Sequence, residues 1–346
     1  MTNSALYDII FDVVEVWLSL VEYYVRDVGV AGSNPVTSTR KKHCGSNAFL
    51  FYYKYKRGNV SMTDKISLYV PPFSHIKSYF EMVDVAAKYG IGNVETLNIL
   101  DLEQPDLELA RKLRAYADEK GVKFTCCSVG VNLVGDDARE QIELAKKFAD
   151  IAVILGSPYL HHTIAFDVSN PDEVIKNREV YFKLGIEAAR EIYDYADKIG
   201  VRAIYEEQGY VVNGIDGFRR LMAEIDRESG VVADFGNILF ADDKIENFIP
   251  EHKERIVNVH IKDYIALPKD SAEAREVELR SEGGTILRDC PFGEGVVNFE
   301  AAFAELKKIG YDGYYATECP PMGEDEEATF KKNIKVLNDY IEAMQR

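Results

Sequence analysis

Three short apolar stretches decide the fold: Val201-Arg-Ala-Ile-Tyr-Glu206, Gly230-Val-Val-Ala-Asp234 and Ile256-Val-Asn-Val-His260. Short β-branched runs of this kind, bounded by glycine or polar residues, are typical of buried parallel strands. Helical segments fill the gaps, and the closing residues of the three stretches are 28 and 26 residues apart. Because one strand–helix–strand unit takes about 30 residues, neighbouring strands should present these three polar residues side by side.

A fourth stretch, Tyr311-Asp-Gly-Tyr-Tyr-Ala-Thr-Glu318, ends in the same way. A single acidic residue at a strand end is usually a solvated turn or a helix cap, but four metal-competent residues at these intervals favour a metal site. We therefore predict one divalent ion bound by Glu206, Asp234, His260 and Glu318. Carboxylate oxygens with a single imidazole nitrogen favour Mn²⁺ or Mg²⁺, with Co²⁺ or Zn²⁺ as alternatives.

The alternation of strands and helices from Met62 onward predicts the fold class, an α/β (β/α)8 TIM barrel. An open doubly wound sheet is the alternative, but the Gly-x-Gly-x-x-Gly turn typical of it does not follow the first predicted strand. The connection 266–295 is longer than usual and is predicted to be a lid carrying Arg280, Arg288 and Glu294. The other predicted strands are 65–70, 93–97, 122–129, 159–165 and 311–317.

The composition restricts the classes of function. The chain has 346 residues, 47% of them hydrophobic, and a formal net charge of −17. This charge argues against a nucleic-acid partner, and charged residues interrupt the apolar stretch 5–28, which argues against a membrane span. The five cysteines form no Cys-x-x-Cys pair, which predicts reduced thiols and a cytoplasmic protein.

Residues 1–61 do not fit the barrel pattern and are predicted to be an extension outside the fold. Gly32-Ser-Asn-Pro35 is what one reading frame of a transfer-RNA T-arm encodes, so our hypothesis is a mis-assigned start, with the natural chain beginning at Met62. The basic and aromatic segment 40–57 has the composition of a nucleic-acid-binding patch, which is the less favoured reading.

The sequence resembles the xylose-isomerase-like TIM barrels, which include sugar and sugar-phosphate isomerases, tagatose/psicose 3-epimerases, inosose dehydratases and endonuclease IV. The resemblance covers the chain from about Met62 to the C-terminus and implies that Glu206 and Glu318 are the acid–base pair as well as ligands. It is carried by four motifs in the same order, which are Tyr205-Glu-Glu-Gln-Gly209, Asp234-Phe-Gly-Asn237, Val259-His-Ile-Lys-Asp263 and Phe292-Gly-Glu-Gly-Val-Val-Asn-Phe299 with the ending Gly310-Tyr-Asp-Gly313 and Glu318.

The expected activity is a metal-dependent sugar isomerase or epimerase that moves a proton between carbons through a metal-bound enediolate. An inosose-type dehydratase is the alternative, and a non-catalytic binding barrel is disfavoured by the intact ligand set. An abasic-site endonuclease is less favoured because Asn237 replaces a histidine and histidines are few. The expected partner is a small sugar or polyol, with a homodimer or homotetramer as the expected assembly. Candidate substrate contacts are Glu95, His162, Asn237, Lys262 and Arg288.

Overall fold

The computed structural model describes residues 62–165, 171–269, 271, 273–276 and 279–346. The predictions for residues 1–61 therefore lie outside the described residues. The strands are β1 Ile66–Leu68, β2 Asn93–Thr96, β3 Lys123–Val129, β4 Tyr159–His162, β5 Arg202–Glu206, β6 Gly230–Asp234, β7 Ile256–Ile261, β8 Tyr264–Leu267, β9 Ile286–Asp289 and β10 Tyr314–Thr317. The α-helices are α1 Tyr79–Lys88, α2 Leu107–Lys120, α3 Ala138–Leu155, α4 Pro171–Lys176, α5 Arg178–Lys198, α6 Ile215–Ile225, α7 Ile245–Glu251, α8 Phe299–Lys308 and α9 Glu326–Gln345.

Eight of these strands close into a parallel barrel in the order β1-β10-β7-β6-β5-β4-β3-β2. Strand β1 completes the ring because it pairs with β10 on one side, Leu68 opposite Thr317, and with β2 on the other, Ser67 opposite Asn93. All eight strands therefore end at the same rim, where the active sites of TIM barrels lie. The predicted barrel is confirmed.

Local sequence signals set the helix boundaries. Helix α1 begins with a capping box, in which the Ser78 hydroxyl accepts from the backbone N–H of Glu81 and the Glu81 carboxylate accepts from that of Ser78. Helices α2 and α3 end at Gly121 and Gly156, whose φ angles of 72° and 71° belong to the left-handed region. Two helices, α4 and α5, follow β4 and are separated at Asn177.

The long connection after β7 is organised around a β-hairpin that the sequence analysis did not predict. Strands β8 and β9 pair antiparallel, with Ile265 opposite Arg288. Asp263 secures the base of this connection because its Oδ2 accepts hydrogen bonds from the backbone N–H groups of Gly293 (3.0 Å) and Gly295 (2.8 Å). A Cβ atom at Gly295 would lie 2.2 Å from the Asp263 carboxylate, so only glycine fits there. Hydrogen bonds thus join the Val259–Asp263 motif to the Phe292–Phe299 motif.

Among the described residues, none of the helices is both long and apolar enough to cross a membrane.

Candidate metal centre

Side-chain alternation along the strands directs four polar residues into the barrel. The apolar side chains of Ile204 and Val232 pack together inside it, and Glu206 and Asp234 follow two residues later, on the same face of their strands. His260 pairs with Asp234 on one side and with Ala316 of β10 on the other. Glu318 is two residues beyond Ala316, so all four side chains point into the same end of the barrel.

The four side chains meet around the Nδ1 atom of His260. This nitrogen lies 2.7 Å from Oε1 of Glu206, 3.4 Å from Oε2 of Glu318 and 3.9 Å from Oδ2 of Asp234. One ligand atom from each of the four residues lies within 4.8 Å of the other three. We call Glu206, Asp234, His260 and Glu318 the quartet.

The unpaired atoms of the quartet fit a bound cation. Glu206 Oε1, Asp234 Oδ2, His260 Nδ1 and Glu318 Oε2 are buried, and none has a partner in hydrogen-bond geometry within the part of the chain that the structure describes. Buried polar atoms without partners are costly, and here they face one another. Three carboxylate oxygens and one imidazole nitrogen form a donor set that a divalent ion can satisfy.

The remaining polar atoms of Asp234 are already occupied. Its Oδ1 accepts hydrogen bonds from the backbone N–H groups of Gly236 (2.8 Å) and Asn237 (2.5 Å). Its own backbone N–H donates to Oε1 of Glu207 at 2.7 Å. Glu207 is fully buried, and burial together with the nearby Asp234 and Glu206 carboxylates raises its pKa well above the usual range. Asp234 is therefore fixed in one orientation, in which Oδ2 is directed towards the other three quartet residues.

Lys262 is the nearest cation to the quartet. Its Nζ lies 2.6 Å from Oε1 of Glu318, 3.4 Å from Oδ2 of Asp234 and 3.1 Å from Oδ1 of Asn237. Burial lowers the pKa of Lys262, but the two carboxylates outweigh that effect and raise it well above the usual range. Burial raises the pKa of Glu318, but Lys262 and His260 outweigh it and lower that pKa to about 2. Lys262 therefore keeps Glu318 ionised.

The surrounding carboxylates shift the pKa of His260. Burial lowers its pKa, but Glu95 and Glu206 raise it well above the usual range. Burial also raises the pKa of Asp234, as do Glu206 and Glu318, while Lys262 and His260 lower it, and the result lies well above the usual range. The pKa of His260 is thus raised by the enclosed acidic groups, whereas that of Asp234 is raised chiefly by its burial.

Glu95 does not contact the rim of the barrel, which corrects its prediction as a substrate contact. Its side chain is fully buried, and Oε1 accepts from the Ser128 hydroxyl (2.8 Å) and faces Nε2 of His260 (3.1 Å). Oε2 accepts from Nδ2 of Asn258 at 2.8 Å. Glu95 therefore acts on the quartet from below, through the far side of the His260 ring.

His162 was predicted as a substrate contact, but the structure places its ring on the opposite side of the sheet from the quartet. Its ring packs edge-on against Tyr205, whose hydroxyl donates to the carbonyl of Ala189 in α5, so His162 lies on the helix-facing side of the sheet. His161 is the residue that faces inward. Its Nε2 lies 3.7 Å from Oε2 of Glu206, and its ring centroid is 5.4 Å from that of His260. His161 pairs with Ser128 of β3. This register, together with the alternation of side chains along β4, places His161 rather than His162 on the inner face.

Arg288, another predicted substrate contact, lies away from the quartet. It is exposed on β9, and its guanidinium lies 3.4 Å from the Glu273 carboxylate rather than at the quartet. Asn237 and Lys262, by contrast, lie beside the quartet. The Nδ2 atom of Asn237 is buried and has no hydrogen-bond partner among the described residues, so it remains available to a ligand.

Comparison with known proteins identifies the class that this barrel and this site define. A family model described as "Xylose isomerase-like TIM barrel" matches residues 83–340. The match covers most of the chain, and the protein therefore belongs to the xylose isomerase-like TIM barrel family.

Curated relatives match over shorter segments. An inosose dehydratase from Geobacillus thermodenitrificans is 24% identical over 143 residues, which are 41% of this chain and 48% of that protein. The L-ribulose-5-phosphate 3-epimerase UlaE from Salmonella paratyphi C is 34% identical over 85 residues, 25% of this chain and 24% of that protein. The matches thus span about half of the first relative and a quarter of the second.

Solved structures reproduce the fold over nearly all of the described chain. A xylose isomerase-like TIM barrel protein from Mycobacterium smegmatis, in complex with magnesium, superposes with a TM-score of 0.60. The superposition covers 83% of this chain and 100% of that protein at 16% sequence identity. At this identity the comparison establishes the fold alone.

Proposed function

We propose that the protein is a divalent-metal-dependent isomerase or epimerase that acts on a sugar or sugar phosphate by transferring a proton between Glu206 and Glu318. The observation that carries the proposal is the quartet, in which four buried atoms lie within 4.8 Å of one another and have no hydrogen-bond partner among the described residues. The family membership of the chain, with an epimerase and a dehydratase among its relatives, supports the proposal.

The quartet residues would hold the ion, and Mn²⁺ or Mg²⁺ suits their mainly carboxylate character best. When bound, such an ion polarises a carbonyl and an adjacent hydroxyl and so acidifies the C–H bond between them. The structural relative from Mycobacterium smegmatis was solved in complex with magnesium, a hard cation of the kind proposed here.

The side chains of this site divide the proton transfer between two carboxyl groups. Lys262 and His260 hold Glu318 in its ionised form, the form that can accept a proton, and we assign to it the proton of the carbon next to the carbonyl. Glu206 approaches His260 from β5. Strand β5 is three strands away around the ring from β10, which Glu318 follows. Glu206 is placed to return a proton to another face or another carbon. Lys262 and Nδ2 of Asn237 are the groups we assign to substrate oxygens.

A dehydratase is the second candidate. The match to the inosose dehydratase is longer than the match to the epimerase, 143 against 85 residues. The two reactions begin with the same abstraction of a proton next to a carbonyl, and they differ in whether a hydroxyl then leaves as water. The quartet supports both.

An abasic-site endonuclease remains less favoured. Nucleases of that kind need several histidines around more than one ion. Here His252 is packed between the rings of Phe218 and Phe248, and His162 faces the helices. Within the described ranges, His161 is the only histidine that lies beside the quartet apart from its own member His260. The net charge of −17 also opposes DNA binding. The expected substrate is therefore a small sugar or polyol.

The direct test is a panel of ketoses, aldoses and inososes, free and phosphorylated, incubated with Mn²⁺ in D₂O. An isomerase or epimerase gives a product that carries deuterium next to the carbonyl and is otherwise unchanged in composition, whereas a dehydratase gives a product lighter by one water. The Glu318→Gln variant should lower kcat by roughly 10²–10⁴, with Mn²⁺ content measured on the same sample. Turnover with conserved mass and no solvent deuterium at early time points would contradict proton transfer.

A further inference from the structure

A buried polar network lies beneath the quartet, and the activity proposed above does not assign it a role. It consists of Glu95, Ser128, His161 and Asn258, together with His260 of the quartet. All five side chains are buried. Since a buried hydrogen-bond network has a fixed number of donors and acceptors, the positions of its protons can be worked out.

Glu95 is the acceptor at the centre of the network. Its Oε1 is close to two groups, the Ser128 hydroxyl at 2.8 Å and Nε2 of His260 at 3.1 Å, and its Oε2 accepts from the Asn258 amide at 2.8 Å. Three groups that can donate a proton thus surround its two oxygens, and this arrangement favours the ionised carboxylate. An ionised carboxylate only accepts. The Asn258 amide also lies 3.4 Å from Nε2 of His260, but an unprotonated Nε2 would direct its lone pair at the closer Glu95 carboxylate, 3.1 Å away. The proton of a neutral His260 ring is therefore on Nε2, and the Nδ1 lone pair is directed at the quartet.

Ser128 connects Glu95 to His161 and determines which nitrogen of the His161 ring carries the proton. A hydroxyl has one proton, and Ser128 gives it to Glu95, so the Ser128 oxygen can only accept from Nδ1 of His161, 3.1 Å away. The proton of His161 is therefore on Nδ1. Its Nε2 is left with a lone pair that has no partner among the described residues and that lies 3.7 Å from Oε2 of Glu206.

We propose that Glu95 is a positioning residue that fixes His260 and His161 in opposite tautomers, so that one lone pair of each ring faces the site. His260 then presents Nδ1 to the cation, and His161 presents Nε2 as an acceptor for a substrate hydroxyl. The inference rests on the proposed function for these two roles, but the tautomers themselves follow from the network alone.

The variant Glu95→Gln tests the inference because Asn258 dictates how the glutamine amide must lie. The Asn258 Nδ2 donor requires the amide oxygen at the Oε2 position, which places the NH₂ group at the Oε1 position. That group would donate to both Ser128 and Nε2 of His260. Ser128 would then donate to Nδ1 of His161, and the protons of both rings would move to the other nitrogen.

The measurement is nitrogen NMR of protein labelled with ¹⁵N-histidine. The expected result is His161 protonated on Nδ1 in the unaltered protein and on Nε2 in Glu95→Gln. The affinity for Mn²⁺ should fall roughly 10–100-fold in Glu95→Gln, the usual effect of losing an outer partner of a ligating histidine. The double variant Glu95→Gln, Asn258→Asp exchanges the amide and the carboxylate. It should return His161 to Nδ1–H and recover most of the Mn²⁺ affinity.

The control Ser128→Ala distinguishes the effect on the His161 tautomer from the effect on His260. It removes the acceptor of His161 but leaves the Glu95–His260 contact, so the tautomer of His161 should become mixed while Mn²⁺ affinity stays within about twofold of the unaltered protein. Near-UV circular dichroism verifies the fold of each variant, and Ser128→Ala decides the question if Glu95→Gln does not fold.

The inference is overturned if His161 is protonated on Nε2 in the unaltered protein, or if Ser128→Ala or a folded Glu95→Gln leaves its tautomer unchanged. The His161 signals are read without added metal. A protein that binds no Mn²⁺ would therefore contradict the proposed function while the tautomer still decides this inference.

Discussion

The ammonium group of Lys262 lies 2.6 Å from Glu318 and 3.4 Å from Asp234, so one buried cation is shared by two members of the quartet. In protein without a divalent ion, this lysine and the His260 ring are the groups that offset three enclosed carboxylates. With an ion bound as proposed, the affinity of the site and the stability of the fold would be coupled, because the ion and Lys262 would neutralise the same oxygens.

Replacing Lys262 by Met should destabilise the metal-free protein. Removing one partner of a buried charge pair costs roughly 3–5 kcal/mol because the other charge stays buried. Mn²⁺ should recover part of the loss, since it supplies positive charge to the same carboxylates. Urea unfolding with and without Mn²⁺ measures both effects, and equal stability of Lys262→Met and the unaltered protein without metal would contradict this role.

His161→Gln and His162→Gln should have different consequences although the two residues are adjacent. His161→Gln removes the inward-facing acceptor, and we expect KM for the sugar to rise at least tenfold with the unfolding midpoint little changed. His162→Gln lies on the helix side and should leave KM within about twofold. The reverse pattern would restore the original assignment of His162 as the substrate contact.

His162 also predicts a dependence of stability on pH. Burial lowers its pKa to about 4, below the value of about 6.5 expected in the unfolded chain. The neutral ring is therefore favoured by folding, and its contribution is complete above about pH 6.5 and is lost as the pH falls through about 4. A shift of this size corresponds to about 3 kcal/mol. Urea unfolding between pH 7 and pH 4 should show a shallower decline in His162→Gln, and parallel declines in the two proteins would refute this.

Arg288→Ala should change neither activity nor stability measurably. Its ion pair with Glu273 is exposed at both ends, and such pairs contribute about 0–1 kcal/mol. We expect kcat/KM within about twofold of the unaltered enzyme. A loss of tenfold or more would show that the β8–β9 hairpin brings Arg288 to the substrate during turnover.

A chain that begins at Met62 should keep the stability and Mn²⁺ affinity of the full chain. The first barrel strand begins at Ile66, and the quartet residues all belong to later elements. Thermal unfolding of both proteins under the same conditions is the comparison. A large loss of stability in the shorter chain would show that residues 1–61 contribute to the fold.

The sequence was sufficient for the barrel and for the quartet because both depend on a repeating pattern. Parallel strands end at one rim, so polar residues at strand ends about 28 residues apart must converge, whatever the details of packing. Glu206, Asp234, His260 and Glu318 could be found in this way. Lys262 and Asn237 lie close to these strand ends and were found with them.

The parts that were missed depend on register and on partners distant in sequence. Whether His161 or His162 faces inward is decided by the pairing of β4 with β3, which a single sequence does not display. Ser128 and Asn258 look like ordinary polar residues in strands until the fold places Glu95 between them. The β8–β9 hairpin was hidden in a connection without clear alternation of polar and apolar residues.

The central claim is that the four strand-end residues hold one divalent ion, and titration of the metal-free protein with Mn²⁺ in a calorimeter tests it most directly. The account predicts about one ion per chain, with binding abolished in Asp234→Asn and retained in the surface control Arg288→Ala. An unaltered protein that takes up no Mn²⁺ or Mg²⁺, or an Asp234→Asn variant that binds as tightly as the unaltered chain, would contradict it.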